Sequence, residues 1–127
     1  MEYVGGGSVP ATKGHYSPAV VHGGLVYVAG QLPADPGGRD MAKETIEEQV
    51  RQTLANVATI LDAGGSSLDR ILRATVYITD IALWPRLNEA YAEVMGEHRP
   101  ARTVVPVPEL HYGYLVEIDV IAAVRDS

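Results

Sequence analysis

Leu115–Ala122 reads LVEIDVIA, and its alternation decides the fold. A strand sends successive side chains to opposite faces. Val116, Ile118, Val120 and Ala122 therefore share one face, and Leu115, Glu117, Asp119 and Ile121 share the other. The first face is wholly apolar and suits a core. The second sets two carboxylates among large apolar residues. It is too apolar for open water and too charged for a sealed interior. Fifteen residues before Glu117, Arg102 opens the β-prone run RTVVPV. Two closing strands are expected, Thr103–Val107 and Leu115–Val124, with Pro106 and Pro108 marking an edge or bulge.

Upstream, the period lengthens. Ile46, Val50, Leu54, Val57 and Leu61 make one helical stripe. Thr45 and Glu48 are spaced as a capping box, and Gly64-Gly65 ends the helix. Ile71–Ile78 reads as a strand whose apolar face is Leu72, Ala74, Val76 and Ile78. A second helix begins near Pro85, carries Trp84, Leu87, Tyr91 and Val94 as its stripe, and stops at Gly96. Before the first helix, Tyr16–His22 and Leu25–Ala29 flank the turn Gly23-Gly24, and QLPADPGGRD is a loop. The order is strands, helix, strand, helix, strands. Two amphipathic helices cover one face of a sheet of five or six strands. The other face meets water or another protein, and Leu115 and Ile121 favour an oligomer interface. Residues 1–127 read as a single domain, with residues 1–10 a flexible Gly-rich N-terminus.

The 127 residues include 16 acidic and 10 basic side chains, a formal charge of −6, and no cysteine. No Lys/Arg block supplies the footprint of a nucleic-acid binder or a membrane-surface helix. Disulfides and thiolate chemistry are excluded. With no signal-peptide h-region and no 18-residue apolar run, a cytoplasmic protein is expected. The four histidines lack metal-ligand spacing, Ser17 lacks a nucleophile-elbow context, and Gly5–Ser8 is neither a P-loop nor a dinucleotide fingerprint.

Two constellations remain. Glu117 and Asp119 point the same way on one strand. They are either charge on a solvated sheet or a partly desolvated base that positions water. Arg102 is either one half of a surface ion pair, with Glu117 or Asp119, or a guanidinium fork for a carboxylate ligand.

Several segments together resemble the RidA family (YjgF/YER057c/UK114), the reactive intermediate deaminases. They are GHYSPAVVHGGLVYVAGQLPADP (Gly14–Pro36), TIEEQVRQTLANVATILDAGGSSLDRILRATVYITD (Thr45–Asp80), LNEAYAEVMGEHRPAR (Leu87–Arg102) and LVEIDVIA (Leu115–Ala122). The resemblance covers nearly everything after about residue 10, in order and spacing. It implies an α+β, chorismate-mutase-like fold: a mixed sheet with two helices on one face, assembled as a homotrimer with active sites between subunits. It implies hydrolysis of 2-imino acids or their enamine tautomers, such as 2-aminoacrylate or 2-iminobutanoate, to 2-oxo acids and ammonia, without a cofactor. No nucleic-acid or membrane partner is implied. The alternatives are a dedicated catabolic deaminase for an aminomuconate-like substrate, or a non-catalytic regulatory trimer that binds small carboxylates.

Residue by residue, the family's substrate-carboxylate arginine falls on Arg102 in PARTV and its strand carboxylate on Glu117 in VEIDV. Its PYS tyrosine falls on Tyr16, its SGQ glycine on Gly30 and its helix asparagine on Asn88. The resemblance implies that Arg102 holds the substrate carboxylate and that Glu117 polarises water. Tyr16 of a neighbouring subunit would close the pocket, and backbone amides near Gly30 and Val104 would stabilise developing charge. Departures are His15 for Pro, Pro18 for Gln, Val104 for Cys, and His111-Tyr112-Gly113-Tyr114 for a Pro-Lys-Gly-like turn. With Trp84, the last makes the rim more aromatic and favours a bulkier imine or a dedicated substrate.

Overall fold

The computed structural model describes residues 1–126. Six strands and two long helices follow the expected order: β1 Glu2–Val4, β2 Ala19–His22, β3 Leu25–Gln31, α1 Ile46–Ala63, β4 Ile71–Ile78, α2 Trp84–Met95, β5 Ala101–Pro106 and β6 Val116–Ala123. They form one sheet in the order β1-β2-β3-β6-β4-β5. Each neighbouring pair is antiparallel except β4–β5. A parallel pair needs a crossover, and α2 supplies it. β3 and β4 both run antiparallel to β6, so they are parallel to each other, and α1 links them.

Both helices lie on the face carrying Val116, Ile118, Val120 and Ala122, all 2% exposed or less. The whole expected stripe of α1 is buried against them. Thr45 caps that helix, its hydroxyl accepting from the Glu48 N–H at 3.2 Å. The reciprocal half of the box is not made, because the Glu48 carboxylate pairs with Arg51 and Arg39 instead. The C-terminus closes as a Schellman turn: Gly65 takes φ +83° and the Ser66 N–H reaches the Leu61 carbonyl at 2.8 Å. The core stripe of α2 is Leu87, Ala90, Tyr91 and Met95, while Trp84 and Val94 sit at its margins.

Two elements differ from the sequence reading. In β4, Ile71 is buried and Leu72 is 50% exposed. The pairing steps from Ile71↔Ala122 to Arg73↔Ile121, so one extra residue bulges and moves Leu72 off the core face. Residues 1–10 are not simply a flexible lead-in. Glu2–Val4 pairs with Ala19–Val21, and Val4 enters the core at 7% exposure. One core-facing side chain before three glycines leaves no period to detect. Among the described residues no helix is long and apolar enough to cross a membrane.

Buried Gln49 fixes the entry to β6. Its Nε2 donates to the Glu44 carbonyl at 3.1 Å, and its Oε1 accepts from the Leu115 N–H at 2.8 Å. A buried amide with both ends bonded ties α1 to the strand that carries Glu117.

Candidate active site

The open face of β6 presents Glu117 and Asp119 as alternation requires, and they differ in their surroundings. The Tyr77 hydroxyl donates to Asp119 at 3.1 Å. Among the described residues, Glu117 has neither a hydrogen-bond nor an ion-pair partner. Burial pushes its carboxyl above the usual range; nearby His111 opposes this and Asp119 adds to it. Such a carboxyl holds its proton more tightly and is a stronger base once ionised.

Gly30 explains how Glu117 fits. In β3 the pairing steps from Val28↔Val120 to Gln31↔Ile118, three residues against two, so a bulge falls at Ala29–Gly30. A Cβ on Gly30 would lie 3.0 Å from Glu117 Oε2 and 3.1 Å from its Cδ. The missing side chain makes room for the carboxylate.

Glu117, Gly30 and Tyr16 of one chain line a single cleft of about 1070 Å³. Tyr16 thus lies on the Glu117 side of the sheet within its own chain. The walls are the segments around Lys13 and Tyr112 and the loop after β3. Asn56 of α1 pins that loop, donating to the Leu32 and Ala34 carbonyls at 3.0 and 2.8 Å.

Arg102, Val104 and Asn88 are elsewhere. Arg102 pairs in register with Ala74, and Val104 with Val76, both core-facing residues. Glu117 pairs with Tyr77 on the other face. Arg102 and Glu117 thus lie on opposite sides of one sheet, with β4 between their strands. This rules out the Arg102 ion pair with Glu117 or Asp119 within a chain. The Arg102 guanidinium stacks on Tyr91 (4.7 Å to the ring centroid) and Trp84 (5.9 Å). Among the described residues it meets no carboxylate. Asn88 shares a helix face with Trp84 and Tyr91 by its i, i+4, i+7 spacing. The Tyr91 hydroxyl is buried without a partner.

Sequence reasoning missed two participants. Tyr77 shares the open-face parity of Thr75, so alternation in ATVYI was the available signal. Tyr91 was read as packing, and no sequence pattern marks its stacking on Arg102.

A mixed sheet with two helices on one face and a carboxylate-lined cleft on the other defines the chorismate-mutase-like fold class. The family model described as endoribonuclease L-PSP matches residues 6–124. A RutC family protein of Pyrococcus horikoshii is 41% identical over 115 residues, covering 91% of each chain. RidA from an Antarctic Psychrobacter superposes with a TM-score of 0.89 at 34% identity, over 98% of this chain and all of that one. TdcF of E. coli, in a crystal structure with bound serine, gives 0.89 at 32% identity over 99% and 100%. The chain belongs to the RidA family, the YjgF/L-PSP proteins.

Proposed function

We propose that this protein hydrolyses 2-imino acids to 2-oxo acids and ammonia, in clefts shared between the subunits of a homotrimer. One observation carries the reading: a partly buried carboxylate without a partner, Glu117, and a guanidinium without an anion, Arg102, occupy opposite faces of one sheet. Neither completes a site within its own chain, and a neighbouring copy would bring the two together. The apolar residues beside Glu117 and the unpaired outer edge of β5 favour such contact. The number three comes from the family resemblance.

In the shared cleft, Arg102 grips the substrate carboxylate with its fork and fixes the imine carbon against a water. Glu117 takes a proton from that water as its oxygen bonds to the imine carbon. The C=N electron pair moves to nitrogen, which is protonated, giving a tetrahedral carbinolamine. The C–N bond then breaks, its electron pair leaves with ammonia, and the hydroxyl proton departs as C=O forms. Glu117 relays these protons, so imine plus water gives 2-oxo acid plus ammonia in balance. In this reading Tyr16 donates to the substrate, and the amides near Gly30, with those near Val104 of the neighbouring copy, stabilise developing charge.

Semicarbazide competition tests this. An amino-acid oxidase supplies imines, and the protein should suppress semicarbazone formation. Arg102→Lys should fail nearly as badly as Arg102→Ala, because a point charge does not replace a fork. Near-full activity of Arg102→Lys would count against the clamp. The serine held by TdcF also suits a non-catalytic carboxylate-binding trimer. That reading predicts no suppression by wild type and undiminished ligand binding by Glu117→Gln. The endoribonuclease description fits this cleft poorly, since Asp35, Glu117 and Asp119 line it against the single lysine Lys13 and would repel a polyanion.

A further inference from the structure

The chain has seven tyrosines and no phenylalanine, and Tyr16, Tyr77, Tyr112 and Tyr114 all line the Glu117 cleft. The rim is built from His111-Tyr112-Gly113-Tyr114. Tyr112 takes φ +61°, a left-handed conformation that an aromatic residue rarely adopts. In that conformation its ring lies edge-on to Tyr114, with centroids 5.9 Å apart at 71°, and tilted against His111 at 5.7 Å and 41°. From the facing segment, the Lys13 ammonium sits 5.2 Å from the Tyr112 centroid. Tyr112 is nonetheless 62% exposed, so its chain leaves much of the ring uncovered at the cleft mouth.

The phenols of Tyr16 and Tyr114 have no hydrogen-bond partner among the described residues, whereas Tyr77 is committed to Asp119.

We propose that the cleft prefers 2-imino acids with an aromatic side chain, and that Tyr112 is the specificity-determining residue whose ring receives it. The substrate ring joins the aromatic cluster that Tyr112 forms with His111 and Tyr114, while its imine carbon reaches Glu117. The substrate class rests on the hydrolytic reading above. The aromatic preference of the rim does not.

Two measurements separate them. The first is kcat/KM for imines made from alanine, leucine and phenylalanine. The second is calorimetric binding of the products pyruvate and phenylpyruvate, which needs no turnover. The phenylalanine-derived imine and phenylpyruvate should each be favoured over their alanine counterparts by about tenfold. Tyr112→Gly suits the left-handed backbone and removes only the ring, so it should fold and bring both ratios near one. Tyr112→Phe should keep them. No turnover of any imine, with the binding preference intact, overturns the hydrolytic reading and leaves the rim assignment standing. Equal binding of the two products by wild type overturns the rim assignment. So does an equal loss for every substrate in Tyr112→Gly, or a changed oligomeric state in that variant.

Discussion

Glu117 shows how one residue trades stability for chemistry. Its folded-state pKa is raised, so the folded protein binds this proton more readily than the unfolded chain. Stability from the group is therefore present at low pH and is lost as pH rises from the ordinary value of 4.5 through the raised one. Glu117→Gln should raise the Tm at pH 7 and abolish hydrolysis, with the Tm difference closing in melts below 4.5. Because the base must be ionised, the acid limb of the wild-type kcat/KM profile should lie above the usual glutamate range. Gly30→Ala probes the same contact from the other side. The added methyl meets the end of a movable side chain, so the fold should hold while the carboxylate shifts. Activity should fall on the order of 10- to 100-fold, read beside an unchanged circular dichroism spectrum.

At the scale of elements, Gln49 and Tyr91 carry opposite predictions. Gln49→Leu strands the Leu115 N–H and the Glu44 carbonyl. Both groups are part-buried, so the change should cost about 1 kcal/mol for each one left unpaired, measured by urea unfolding. Tyr91→Phe removes a hydroxyl that bonds to nothing in its chain while keeping the ring under Arg102, so the Tm should hold or rise. The same elements mark what alternation and helical period can tell. The α1 stripe and both faces of β6 were legible because each repeats over many residues, and burial selects for the repeat. Leu72 was misplaced because a bulge inserts one residue without a signature. β1 was invisible because a three-residue strand with one core side chain has no period. Tyr16, Gly30 and Glu117 were legible as candidates through their motifs. Their union in one cleft without Arg102 was not, because it depends on sheet order: β4 comes between β5 and β6, and neighbouring β4 residues alternate which side they serve.

For the whole molecule, the open face is what one chain leaves unfinished. Tyr27 is 42% exposed there, and Ile121 and Val105 share its parity. The central claim is that Arg102 of one copy completes the Glu117 cleft of another. Sedimentation should show a homotrimer, but mixing two inactive variants tests the claim more directly. Arg102→Ala and Glu117→Gln each lack one half of every site. When they are co-expressed, a ring of three places some intact Glu117 clefts against an intact Arg102, about a quarter of the sites if the variants mix at random. Recovery of roughly that fraction of wild-type imine hydrolysis, from two proteins each inactive alone, is the predicted result. Mixed trimers that stay as inactive as their parents would show that the two residues do not work across an interface, and would contradict the account.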